Sequence, residues 1–136
     1  MSKKTFEIEM KVRDYECDAQ GIVNNANYLH YFESTRHEFM QSLGISFKES
    51  HLLGVDPVVS RATLSYKTSL TGDDVFRSSL TVERKGVKMI FHQKIYRKID
   101  NSLCCKGQIE VAVLINGTLS RGNYYDECMK EYLTDE

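Results

Sequence analysis

The sequence predicts an α+β fold in which a curved antiparallel sheet wraps around one long central helix. Three observations carry this. A single window, Asn25 to Gly44, has apolar residues at helical spacing. The segments on either side alternate apolar and polar residues with a period of two, as half-buried strands do. The later alternating segments are separated by short turns rich in Gly, Asn and Asp, and tight turns force antiparallel neighbours. One sheet must cover its apolar face, and only one long helix is available to do it. The expectation is a single domain over residues 1–136.

The first strand is read from Phe6, Ile8, Met10 and Val12, which alternate with Glu7, Glu9 and Lys11. A polar loop from Arg13 to Asn24 follows. At about 100° per residue, Tyr28, Leu29, Phe32, Phe39, Met40 and Leu43 then fall on one side of a helix, and His30, Ser34, His37, Glu38 and Gln41 on the other. Asn24 or Asn25 can cap its start, and Gly44 suits the left-handed position past its end. Such a helix is about 27 Å long. Arg36 projects into the apolar stripe, where an unpaired cation is costly; Glu33, one turn earlier, is the expected partner.

Ile45 to Asp56 reads as an irregular connection. Pro57, the only proline, opens the next strand, in which Val58, Ala62, Leu64 and Tyr66 alternate with Val59, Arg61, Thr63 and Lys67. Turns at 71–74, Lys85-Gly86 and 100–102 separate strands carrying Phe76, Leu80 and Val82, then Met89, Phe91, Ile95 and Ile99, then Cys105, Ile109, Val111, Val113 and Ile115. The last of these strands ends at Asn116-Gly117. Beyond Asn123, Tyr125, Cys128, Met129, Tyr132 and Leu133 stand at the spacing of a short peripheral helix.

Bulk composition narrows the function. A chain of 136 residues, 41% hydrophobic and 27% charged, can bury a core without disulfide or metal staples. A net charge of -1 speaks against nucleic acid as a general partner. No apolar run approaches the roughly 20 residues that span a bilayer, and the N-terminus enters a strand without an apolar signal core, so a cytoplasmic location is expected. Cys17, Cys104, Cys105 and Cys128 make no CxxC pair, and His30, His37, His51 and His92 have no metal spacing, so neither a metal nor a cofactor is expected. Cys17 lies beside Asp18 without an obvious base and reads as packing.

The stretch from Arg13 to Gly44 organises the chain. It places one carboxylate, Asp18, just ahead of a helix start, where unpaired N–H groups carry positive dipole. On residue types alone, Asp18 is either a cap or a working group.

Asp18-x-x-Gly21-Ile22-Val23-x-x-x-x-Tyr28, followed by Tyr31-Phe32-Glu33 and Arg36, resembles the signature of hotdog-fold acyl-CoA thioesterases. The groups most similar are the 4-hydroxybenzoyl-CoA thioesterase family and its YbgC-like relatives. The motif covers about a quarter of the chain, and the element order above agrees with that fold. The resemblance implies that Asp18 is the catalytic carboxylate, attacking the thioester or activating water. It implies also that the backbone N–H at Asn25 donates to the developing oxyanion. Gly21, Ile22, Val23 and Tyr28 are then substrate-facing, and Arg84, Lys85 and Lys88 meet CoA phosphates, where a solvated basic turn is the bland reading. Many YbgC-like members carry histidine where this chain has Asn25, and an amide cannot shuttle a proton.

The expected activity is hydrolysis of an acyl or aroyl thioester of CoA or of acyl carrier protein. The alternative is a non-hydrolytic hotdog protein that binds such thioesters. A dehydratase needs a His beside an acidic residue, and the motif has none. The unprotected sheet edge, like the resemblance, implies a homodimer and beyond it a dimer of dimers, a tetramer.

Overall fold

The computed structural model describes residues 4–135. Strand β1 (Phe6–Lys11) alternates half-buried and exposed residues as its pattern requires. A polar loop leads to the 18-residue helix α1 (Asn25–Ser42). The short helix α2 (Phe47–Leu52) follows, then β2 (Val55–Tyr66), β3 (Val75–Lys85), β4 (Lys88–Arg97) and β5 (Leu103–Ile115). Two short strands, β6 (Thr118–Leu119) and β7 (Leu133–Asp135), complete the sheet. Its order is β1-β3-β4-β5-β2, with β6 paired to β5 and β7 parallel to β3. The sheet curls around α1, as the sequence predicts.

Both ends of α1 follow from local chemistry. The Asn24 side chain accepts from the Ala26 N–H, which occupies one of the donors the first turn leaves unpaired. At the other end, Gly44 takes φ +80. Gly44 N–H donates to the Gln41 carbonyl and Ile45 N–H to the Met40 carbonyl, the paired bonds of a Schellman stop.

Aromatic pairs tie the helix to the sheet. Phe39 meets Phe6 of β1 at 5.4 Å and Phe91 of β4 at 6.3 Å. Tyr31 meets Phe76 of β3 at 4.7 Å, and Tyr28 meets Tyr66 of β2 at 5.5 Å. Phe32 lies over Gly107 of β5, where a Cβ would come within 2.6 Å of its ring. Because the sheet wraps so far around, the buried arc of α1 is wider than the expected stripe. Tyr31 and Thr35 are fully buried within it, whereas Leu29, placed in the stripe from the sequence, is 41% exposed.

Several expectations are corrected. The connection after Gly44 contains α2, capped by the Ser46 hydroxyl accepting from Glu49 N–H; Ser46 and Glu49 stand at capping-box spacing in the sequence. Pro57 lies two residues inside β2 rather than at its start, tolerated because β2 is an edge strand. Val58 and Val59 are both exposed, because an edge strand with an irregularity between Val59 and Arg61 has no clean inner face there. Ile99 falls beyond β4 and is exposed. The tail from Asn123 forms successive turns rather than a helix, burying Tyr125 and Met129 before β7 begins.

The largest correction concerns chain order. β2 and β3, consecutive in sequence, are not neighbours; β2 pairs with β5 at the far edge. The eight residues between them cross the end of the sheet instead of forming a tight hairpin. That crossing segment builds one wall of the site described next.

Arg36 is corrected too. It is buried, but no ion pair with Glu33 within 4 Å occurs among the described residues. Its Nη1 donates to Gln93 Oε1 at 2.9 Å, and Gln93 Nε2 donates to the Phe32 carbonyl at 3.0 Å. Burial lowers the Arg36 pKa, with Glu33 opposing through space.

Candidate active site

The loop between β1 and α1 is held by its own backbone. Asp14–Glu16 form a single 3-10 turn. Cys17 and Val23 then bridge, Asp18 N–H donates to the Ile22 carbonyl at 2.9 Å, and Gly21 N–H donates to the Asp18 carbonyl at 3.0 Å. Gly21 sits at φ +79, a conformation that costs glycine little and other residues more. This tight loop presents Asp18 beside the helix start.

Glu16 anchors the loop to α1. Its carboxylate Oε1 accepts from Arg13 N–H at 2.8 Å and from the Tyr31 hydroxyl at 2.9 Å. Its carbonyl accepts from Asn24 N–H at 3.0 Å and from Asn27 Nδ2 at 2.8 Å. Burial and the Glu16 carboxylate together push the Tyr31 phenol well above its ordinary range.

The segment joining β2 to β3 closes the other side. Lys67 N–H donates to the Cys104 carbonyl at 2.8 Å, and Leu70 N–H donates to the Tyr28 hydroxyl at 3.1 Å. The Leu70 carbonyl accepts from Val23 N–H at 2.9 Å, and Ile22 bridges Thr71. The Tyr66 hydroxyl reaches the Asn25 carbonyl at 3.2 Å.

Between these walls lies a cavity of about 220 Å³. Asp18, Ile22, Val23, Asn25 and Tyr28, all candidates from the sequence, line it together. Tyr66, Lys67, Thr68, Ser69 and Cys104 line it too, and no motif pointed to them. Gly21 shapes the loop without lining the cavity.

Two polar groups at the cavity keep hydrogen-bonding capacity unused among the described residues. Asp18 Oδ1 accepts from Gln20 N–H at 2.8 Å, and no partner for its other oxygen occurs among the described residues. The Asn25 N–H, the first of the helix, likewise has no acceptor among them. Asp18 and Asn25, the first residue of the helix, thus line one small cavity. Cys17 is half-buried, and its thiol is pushed up by burial and by Asp14 and Asp18, which disfavours the thiolate a nucleophile needs. Burial also raises the Cys104 thiol and the Tyr28 phenol.

Arg84, Lys85 and Lys88 lie elsewhere. They flank the β3–β4 turn, while Arg97, nine residues further along β4, donates to the carbonyl of cavity residue Ser69 at 3.2 Å. At about 3.4 Å per residue the turn is roughly 30 Å from the cavity in the same copy. Arg84 is pinned to Asp126 and to the Gly122 carbonyl, and Lys88 lies 3.4 Å from Glu110; of the three, Lys85 alone is exposed.

Among the described residues no helix is long and apolar enough to cross a membrane.

Residues 12–123 match the family model described as the thioesterase-like superfamily. A chloroplastic acyl-acyl carrier protein thioesterase of Arabidopsis thaliana is 35% identical over 95 residues, 70% of this chain and 50% of that protein. The acyl-CoA thioesterase YbgC of Haemophilus influenzae is 29% identical over 118 residues, 84% of each chain. A hypothetical protein of Aquifex aeolicus, solved by crystallography, superposes with a TM-score of 0.75 at 31% identity, covering 80% of this chain and 88% of that one. The chain spans between 50% and 61% of the length of several curated relatives it matches.

Proposed function

This chain belongs to the thioesterase-like superfamily, and from that membership we propose that it hydrolyses acyl thioesters, with acyl-CoA as the leading substrate class and acyl-acyl carrier protein as the other. The observation that carries the mechanism is the cavity shared by Asp18 and Asn25, the first residue of α1. The free Asp18 oxygen attacks the thioester carbonyl or takes a proton from water that does. As the carbonyl oxygen becomes an oxyanion, the Asn25 N–H and the α1 dipole receive its charge, a contribution of about 3 kcal/mol or more. Ile22, Val23 and Tyr28 hold the acyl group beside these atoms.

The β2 edge supports a homodimer. Among the described residues its outer side is unpaired over 12 residues, and Val58 and Val59 on it are exposed. Antiparallel pairing of two β2 strands about a two-fold axis reverses one copy end for end. The basic turn of one copy then lies at the same end of the joined sheet as the Asp18 cavity of the other, which supports Lys85 and Lys88 as phosphate contacts across the dimer.

A panel of acyl-CoA and acyl-acyl carrier protein thioesters, followed by thiol release, tests the reading. Asp18→Asn is expected to lower kcat by about a hundredfold or more while circular dichroism stays native. Asn25 in place of a proton-carrying side chain favours the second reading, a thioester-binding protein; tight binding of acyl-CoA with no turnover selects it.

A further inference from the structure

We propose that Lys67 is a further catalytic residue, the cation that receives the departing thiolate as the thioester breaks; this rests on the hydrolase reading above. Among the described residues lining the Asp18 cavity, Lys67 is the single cation and Asp18 the single carboxylate. The two make no ion pair within 4 Å, and the Lys67 ammonium has no side-chain partner among the described residues. Its backbone, by contrast, is fixed: Lys67 N–H donates to the Cys104 carbonyl at 2.8 Å, and Thr68 N–H donates to the Leu103 carbonyl at 3.3 Å. The neighbouring Tyr66 hydroxyl reaches the Asn25 carbonyl, so the root of Lys67 is held against the helix start. Lys67, an exposed residue on an anchored backbone, thus lines the same cavity as Asp18.

The reaction leaves a task for such a group. Asn25 carries no proton that it can release, and burial makes the Tyr28 and Tyr66 phenols and the Cys104 thiol poorer acids. When the tetrahedral intermediate collapses, the C=O bond re-forms, the C–S bond breaks and its electron pair leaves on sulfur. The ammonium of Lys67 faces that thiolate and gives it one proton. The resulting amine regains a proton from Asp18, which took one from the attacking water. If Asp18 attacks directly, water hydrolyses the anhydride and the proton released restores the ammonium. The sum in both cases is thioester plus water giving acid plus thiol.

The test varies the leaving group. Wild type, Lys67→Gln and Lys67→Arg are compared on one acyl group carried as its CoA thioester and as its thiophenyl ester, whose aryl thiol leaves readily without assistance. Lys67→Gln is expected to lower kcat on acyl-CoA by about ten- to hundredfold with KM nearly unchanged, and kcat on the thiophenyl ester by less than about threefold. Lys67→Arg keeps the cation but has no proton it can release, so it recovers little of the loss on acyl-CoA, and full recovery by arginine overturns the proton transfer. Equal losses on both esters, no loss on either, or a change confined to KM overturns the proposal. Failure of wild type to turn over both esters overturns the hydrolase reading and this step with it. If Asp18→Asn is inactive while Lys67→Gln is fully active on acyl-CoA, only the role of Lys67 falls.

Discussion

The Tyr31 hydroxyl donates to the Glu16 carboxylate at 2.9 Å inside the core, joining the third helical position past Tyr28 to the loop that carries Asp18. Glu16 is itself buried, and its carboxylate is met by that phenol, by Arg13 N–H and by the Arg13 guanidinium at 3.9 Å. Tyr31→Phe removes a hydrogen bond to a buried charged group. It is expected to destabilise the protein by about 1.5–3 kcal/mol, read from the urea midpoint at constant m-value.

The same contact sets a dependence on alkaline pH. Burial, then the Glu16 hydrogen bond, raises the Tyr31 pKa above its unfolded value, so the folded state holds the proton that the unfolded state releases. The stabilisation is complete below the ordinary tyrosine value near 10 and is lost as pH climbs above it. Above about pH 10, unfolding free energy measured up to about pH 11.5 should therefore fall less steeply in Tyr31→Phe than in wild type.

If the Asn25 backbone rather than its side chain serves the oxyanion, two substitutions should part company. Asn25→Ala keeps the N–H and is expected to retain kcat within a few fold. Asn25→Pro removes the N–H at the first helical position, where proline is well tolerated in structure, and should cost about 10²–10³ in kcat with helicity preserved. Similar kcat for the two variants would leave the N–H without a role.

Arg36 and Gln93 should behave as a unit. Gln93→Leu strips a buried guanidinium of its one hydrogen-bond partner among the described residues and is expected to cost about 3 kcal/mol or more. Combining it with Arg36→Met removes both polar groups, and most of that loss should return. A double-mutant cycle of unfolding free energies measures the coupling.

Gly107→Ala drives a Cβ to 2.6 Å from the Phe32 ring, in a core with no slack at that point. A loss of about 1–3 kcal/mol is expected, relieved in Gly107→Ala/Phe32→Leu, with thermal melting as the readout.

Much of this architecture is written in neighbouring residues. The bounds of α1 follow from its 3.6-residue period, the Asn24 cap and Gly44; β1, β3, β4 and β5 follow from alternation and from turns at Gly86, Asn101 and Asn116, each at positive φ. The motif from Asp18 to Tyr28 is legible for the same reason: its members are close enough in sequence that one loop and one helical turn bring them together. α2 had its Ser46–Glu49 cap signal in plain view, but six residues give too short a periodic stretch to stand out.

Only the tertiary structure decided what faces that motif. Nothing local in residues 67–74 says whether they make a hairpin or cross the sheet; the pairing of β2 with β5 decides it, and it brings Lys67, Ser69 and Cys104 to Asp18. In the same way Arg36 passes over Glu33, three residues away, for Gln93, 57 residues away, because burial beside β4 removes the solvated edge on which the nearer pair would form. Periodicity and capping depend on a few consecutive residues, so sequence alone determined the helix, most strands and the Asp18 motif. The partners of each polar group depend on which distant surfaces close around it, and that is settled only when the sheet wraps the helix.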